Sequence, residues 1–306
     1  MIFAAIDIGS NAARLLFANV FEFKNKAYVE KATLIRIPTR LGKDVYSNNK
    51  ISRKRADNLI KTLKAFKLLI DVYNPVDFAA CATAAMREAE NGEEVLSRIK
   101  TEAGFGVRLI DGIEEANIIR RTNKLTFDHP YGISLYIDVG GGSTDVSLLK
   151  DDRVVSVKSF KIGTLRLLSN KVKDSEWKRL EKWLTEIDPT IIRDGKINVV
   201  GSGGNINKLN KLYGNPANFL LKTSELKNAF KYLKSFSLEE RIEKLGLRPD
   251  RADVIVPAAR IFLFILKIIN AKSLLVPKIG LADGLIYQLY EEFKTDQRKF
   301  SGEIEK

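Results

Sequence analysis

Two stretches of the chain carry nearly the same pattern of apolar and polar positions. The first, FAAIDIGSNAARLLFANV at 3–20, passes from an apolar run through an aspartate and a turn of small residues into another apolar run. The second, YIDVGGGSTDVSL at 136–148, repeats that order. In the first half the pattern predicts strands near 2–8, 14–22 and 28–37. A helix follows, with apolar positions Leu59, Leu63, Phe66, Leu69 and Ile70 spaced by three and four. A strand near 77–82, a helix through 84–101, a short strand at 107–110 and a helix from 112 complete it. In the second half, strands near 132–139, 145–150 and 153–160 precede a helix at 174–186, a strand at 196–201 and further helices. Antiparallel strands leading into β/α alternation, twice, predict two mixed-sheet α/β domains. The turn-rich FDHPYG at 127–132 marks the boundary. No low-complexity linker separates the halves, so they are expected to pack across a cleft.

Setting Asp7-Ile8-Gly9-Ser10-Asn11 on Asp138-Val139-Gly140-Gly141-Gly142 gives an offset of 138 − 7 = 131 residues. Consecutive glycines mark backbone that takes φ > 0 or lies against another atom. Successive N–H groups in such turns form a concave anion nest, to which the hydroxyls of Ser143 and Thr144 add uncharged donors. The strand-end aspartates Asp7 and Asp138 suit Mg²⁺, which takes few protein carboxylates and keeps water or phosphate oxygens elsewhere. The plainer alternative is a pair of tight hairpins with exposed acids.

Charge sharpens this picture. Over 306 residues, 51 Lys+Arg against 38 Asp+Glu leave a net +13, which favours the approach of polyanions. The lysines are dispersed, and no RRM, zinc-finger or basic-zipper pattern is present, so a specific nucleic-acid partner is not expected. The single histidine, His129, and single cysteine, Cys81, allow no His/Cys zinc cluster and no internal disulfide. Cys81 reads as a small buried hydrophobe. No apolar run approaches the ~18 residues that span a bilayer, and MIFAAIDIGSN has no signal-peptide pattern, so a cytoplasmic location is expected.

The set DIGSN (7–11), ATAAMREAEN (82–91), GIEEA (112–116), DVGGGSTD (138–145), VGSGGN (200–205), RAD (251–253) and GLADGL (280–285) resembles the exopolyphosphatase/guanosine pentaphosphate phosphohydrolase family, Ppx/GppA, of the actin-like, Hsp70 and sugar-kinase superfamily. The resemblance covers residue 1 to about 290 and implies the short form, without the C-terminal HD-type domain of longer relatives. It implies two actin-like (ribonuclease H-like) α/β domains, at 1–128 and 129–284, with mixed sheets flanked by helices. A C-terminal helix at about 285–306 joins the first. The implied reaction is hydrolysis of the terminal phosphoanhydride of inorganic polyphosphate, releasing orthophosphate. The alternatives are a guanosine pentaphosphate 5′-phosphohydrolase and a weakly active or non-catalytic polyphosphate or alarmone binder; a homodimer stays open. The implied site has Glu115 as base and Arg87 on phosphate. Mg²⁺, or another divalent cation, sits on Asp138 and Asp145 with Asp7. Gly9, Ser10, Asn11, Gly140, Gly141, Gly142, Ser143, Thr144 and Gly203 bind phosphate. Two departures stand out: Ala12 where relatives carry Ser or Thr, and Asp145 where they carry Glu.

Two of these roles have a reading of their own. Asp111 can cap the helix from 112, with Glu114 closing a reciprocal capping box, which leaves Glu115 to act. The planar guanidinium of Arg87 suits two phosphoryl oxygens, and the alternative is an intrahelical pair with Glu90 or Asn91.

Overall fold

The computed structural model describes residues 1–23, 26–122, 132–151, 153–187, 197–215 and 217–304. His129 and most of FDHPYG lie outside them. The chain forms two compact units, Met1–Leu41 with Asn49–Leu125 and Gly280–Lys306, and Gly42–Asn48 with Thr126–Ile279.

The sheet of the first unit contains β1 (Ile2–Ile8), β2 (Ala13–Phe23), β3 (Lys26–Ile37), β4 (Asp77–Ala82) and β5 (Arg108–Leu109), in the order β3-β2-β1-β4-β5. β1 to β3 form an antiparallel meander, and β4 and β5 run parallel to β1. β1 is central and buried on both faces. On one face Phe3, Ala5, Leu16 and Ala18 join Ile118 and Ile119 of α5 (Gly112–Arg120) and Leu285, Ile286 and Leu289 of the C-terminal helix. Toward the other face, α2 (Arg53–Tyr73) buries Leu59, Leu63, Phe66 and Ile70, and its Tyr73 ring stacks on Phe17 at 3.9 Å.

The second unit repeats this plan. Its sheet contains β6 (Ile133–Val139), β7 (Thr144–Lys150), β8 (Arg153–Phe160), β9 (Asn198–Ser202), β10 (Leu220–Lys222) and β11 (Ser273–Leu275), in the order β10-β11-β9-β6-β7-β8. Here too an antiparallel meander is followed by a parallel strand, β9, beside the first strand. The helix at Ile255–Ile268 supplies much of the core through Ile255, Ala258, Ile261, Phe262 and Ile265.

Two local expectations change, and two short strands were not expected. The helix expected through 84–101 is two, α3 (Ala84–Glu88) and α4 (Gly92–Ala103), because Asn91 between them spends its side-chain amide on both backbone groups of Ile51, at 2.9 Å each. The three-residue strands β10 and β11 are too short to leave a periodic signal. α1 (Leu41–Asn48), which the sequence reading sets in the first domain, packs with the second unit. Among the described residues no helix is long and apolar enough to cross a membrane.

Candidate active site

The two glycine turns are built alike. In the first, Gly9 N–H donates to Ala12 O at 3.0 Å; in the second, Gly140 N–H donates to Ser143 O at 3.0 Å. The strands on either side share one register, Asp7 opposite Arg14 and Ile8 opposite Ala13, then Asp138 opposite Asp145 and Val139 opposite Thr144. The offset of 131 therefore carries Arg14 onto Asp145 and Ala12 onto Ser143.

That one exchange gives the turns different electrostatics. In the first, Arg14 bonds the buried carboxylate of Asp7, so one of the three aspartates grouped as cation ligands from the sequence is neutralised by its cross-strand partner. In the second, two carboxylates face each other across neighbouring strands, an arrangement that destabilises a sheet unless a cation intervenes. Asp145 is only 5 % exposed and accepts from Ser143 Oγ at 3.2 Å. Among the described residues no three His, Cys, Asp or Glu side chains converge. A cation on Asp138 and Asp145 would thus keep most of its positions for water or phosphate oxygens, the habit of Mg²⁺. The donor set fits.

Gly203 adjoins this pair. Its φ of 106° is one that side chains rarely adopt, and a Cβ there would lie 3.0 Å from Asp138 Oδ1. It also leads the helix at Gly204–Tyr213, and Arg251 of the RAD stretch donates to Gly204 O, so VGSGGN and RAD meet.

Within the second turn the carbonyls of the three glycines are all engaged by one segment. Gly140 O accepts from Thr164 N–H at 3.1 Å, Gly141 O from Leu165 and Arg166 N–H at 2.9 and 3.2 Å, and Gly142 O from Arg166 Nε at 2.8 Å. The amides of Gly141, Gly142 and Ser143 donate to no acceptor among the described residues. Close approach accounts for the glycine on the other side of this contact: a Cβ on Gly163 would strike the backbone of Gly141 and Gly142. Thr144, expected to offer its hydroxyl, is instead fully buried and donates it to Ile162 O at 2.6 Å. The stretch Gly163-Thr164-Leu165-Arg166 went unnoticed in the sequence, where its only mark is a Gly-Thr pair after a strand.

In the first unit, register sets Arg14, Asp7, Cys81 and Arg108 in one row across β2, β1, β4 and β5. Burial pushes the Cys81 thiol up, Arg108 works against that, and the charges of Asp7 and Glu115 add to it, so both carboxylates lie near Cys81. A buried thiol held protonated is no nucleophile. Ser10 is buried beside Gly9, and the Asn11 carbonyl accepts from Arg40 N–H at 3.0 Å.

α5 begins at Asp111, whose carboxylate accepts from Glu114 N–H at 2.8 Å. The expected reciprocal bond is not made, because the Glu114 carboxylate pairs with Arg108. Arg87 makes no ion pair among the described residues. It donates from Nη1 to Ile110 O at 2.6 Å, tying α3 to the residue before the Asp111 cap. Its alternative partners are engaged elsewhere, Glu90 with Lys50 and Asn91 with Ile51. Behind α5, Gly284 of GLADGL packs so closely that a Cβ would meet Ile118 O.

Residues 32–293 match the Ppx/GppA phosphatase family. The chain belongs to that family. Ppx/GppA proteins hydrolyse phosphoanhydride bonds, and this chain is an enzyme of that class. It is 25 % identical over 302 residues to exopolyphosphatase 1 of Mycobacterium leprae, covering 92 % of this chain and 87 % of that protein. It is 24 % identical over 305 residues to the guanosine-5′-triphosphate,3′-diphosphate pyrophosphatase of Aliivibrio fischeri, covering 96 % of this chain and 60 % of that protein. The crystal structure of the Aquifex aeolicus Ppx/GppA member aligns with a TM-score of 0.72 at 29 % identity, over 95 % of this chain and 98 % of that one.

Proposed function

We propose that the chain is an exopolyphosphatase that releases orthophosphate from the end of inorganic polyphosphate, with a divalent cation such as Mg²⁺ on Asp138 and Asp145. The observation that carries the proposal is the opposed pair Asp138/Asp145 beside three successive amides, at Gly141, Gly142 and Ser143, with no acceptor among the described residues. A polyphosphate end supplies what both lack, oxygens for the amides and further ligands for a cation. When bound, the cation would neutralise charge on the phosphoryl oxygens.

The protein's own groups take the remaining roles. Glu115 accepts a proton from water as its oxygen bonds the terminal phosphorus and the bridging P–O bond breaks, leaving orthophosphate and a shortened chain. The commitment of Glu114 to Arg108 supports the choice of Glu115. Arg87, fixed through one nitrogen to Ile110 O, turns the rest of its guanidinium to phosphoryl oxygens. Gly9, Ser10 and Asn11 form the companion phosphate turn. Asp7, bonded to Arg14, orients that guanidinium in place of binding metal. A cytoplasmic location belongs to the same proposal, and the single buried cysteine supports it.

Phosphate release from long polyphosphate, tripolyphosphate, guanosine pentaphosphate and ATP, each with and without Mg²⁺, tests the reading. Highest kcat/KM on polyphosphate, abolished by EDTA, is expected. A tenfold preference for guanosine pentaphosphate would make the chain a 5′-phosphohydrolase of that nucleotide. Binding without turnover would make it a sensor.

A further inference from the structure

A peptide unit is planar and trans, so its C=O and the N–H of the next residue point in opposite directions. Fixing the carbonyls of Gly140, Gly141 and Gly142 on one side therefore aims the amides of Gly141, Gly142 and Ser143 to the other. The bonds from Thr164, Leu165 and Arg166 supply that fixation. Two of the three carbonyls are held by backbone, and the third depends on one side chain.

We propose that Arg166 and Tyr46 form a clamp that holds the Gly140–Gly142 turn in its phosphate-binding conformation, which makes Arg166 a positioning residue for the hydrolysis; the proposal rests on the hydrolase reading above. Arg166 sits in the short helix Thr164–Leu168 and is 8 % exposed. Burying a guanidinium costs several kcal/mol unless its donors are satisfied and its face is covered. Its Nε bonds Gly142 O at 2.8 Å, and its central carbon lies 4.2 Å from the centroid of the Tyr46 ring. A cation over an aromatic face is stabilised by the ring quadrupole, more so away from water. Tyr46 is itself 4 % exposed and belongs to α1, the helix that the chain sends from between β3 and α2 into the second unit. The docking of α1 thereby gains a purpose: it sets an aromatic floor under the arginine that closes the turn.

Alternative occupants of position 166 lack one part of this geometry. Lysine is a point charge with no Nε at mid-chain and no planar face to lay on Tyr46. Glutamine loses the charge and the stack together.

The test uses the full-length protein and the variants Arg166→Gln, Arg166→Lys, Tyr46→Leu and Tyr46→Phe. Steady-state kinetics on tripolyphosphate with Mg²⁺ is run beside calorimetric titration with inorganic phosphate, which needs no turnover. Arg166→Gln and Tyr46→Leu should each lower kcat tenfold or more and weaken phosphate binding at least fivefold. The double variant should fall no further than either single one. Tyr46→Phe should stay within about twofold of the parent, and Arg166→Lys should recover only part of the loss. Parent-like kinetics and phosphate affinity in Arg166→Gln, full recovery by Arg166→Lys, or additive losses in the double variant would overturn the clamp. Should Arg166→Gln not fold, Tyr46→Leu, which keeps the bond to Gly142, carries the same decision. Loss of folding in all variants would assign the pair to the core and also overturn it. A parent that releases no phosphate from any substrate refutes the hydrolase reading instead, while phosphate affinity still decides the clamp.

Discussion

Replacing one carboxylate in each of the two register-equivalent cross-strand pairs should change stability in opposite directions. Asp145 faces Asp138, whereas Asp7 faces Arg14. Directly opposed cross-strand side chains start from Cβ atoms about 5 Å apart. Two unit charges at that distance repel by about 3 kcal/mol at an effective dielectric of 20. Asp138 is only half-buried, and the two side chains can splay apart, so about 1 kcal/mol is the figure to expect, in line with opposed like charges in sheets. In EDTA, Asp145→Asn should therefore raise stability by about 1 kcal/mol, or roughly 2–4 °C in Tm for a chain of this size. Asp7→Asn removes the charge that Arg14 answers and should cost about 1–2 kcal/mol. Magnesium should then act on one variant and not on the other. At a hundred times Kd a ligand that binds only the folded state adds about 2.7 kcal/mol, which wild type and Asp7→Asn should show and Asp145→Asn should largely lose. The assay is a thermal or urea melt of three proteins, in EDTA and across a Mg²⁺ titration. Shifts of the same sign in EDTA, or equal gains from Mg²⁺ in all three, would refute the electrostatic distinction between the turns.

Glu115→Gln should abolish phosphate release while leaving polyphosphate binding largely intact, whereas Glu114→Gln, which loses an exposed pair with Arg108, should cost under about 1 kcal/mol of stability and little turnover; kinetics beside melts decide it, and the reverse pattern would exchange the two roles. Burial pushes the Asp283 carboxyl above the usual carboxylate range, against the pull of Lys31 at 2.7 Å. Its protonated form is thus favoured in the fold, and the stability it contributes is greatest at low pH and is lost as pH rises through the raised pKa. Asp283→Asn should gain on wild type as pH rises from the ordinary aspartate range, and urea midpoints that stay parallel across pH would contradict this. The net charge of +13 predicts that affinity for long polyphosphate falls steeply with salt and that tripolyphosphate responds less. Equal salt slopes in binding titrations would remove the contribution of charges beyond the terminal phosphates.

The strands β1, β2, β6 and β7 and the turns between them were legible because apolar runs and Asp-Gly punctuation are local, and each stretch holds its own signal. The duplication was legible as well, since an offset of 131 can be read by eye. Its consequence was not. Arg14 and Asp145 stand at equivalent places, but only a pairing register shows that each faces an aspartate, so that one turn opposes a cation to an acid and the other an acid to an acid. The break at Asn91 was hidden because its partner, Ile51, lies 40 residues away. Gly163, Arg166 and Tyr46 were hidden for the same reason, since nothing near them in the chain announces that they meet the turn at 140–142. The sequence by itself thus determined most of the strands and helices and which residues are candidates for phosphate chemistry, because propensity and residue type act within a few positions. Tertiary structure alone decided which charges are answered, which hydroxyls are spent inside and which way the amides of the turn face, because these depend on partners that folding brings together from distant parts of the chain.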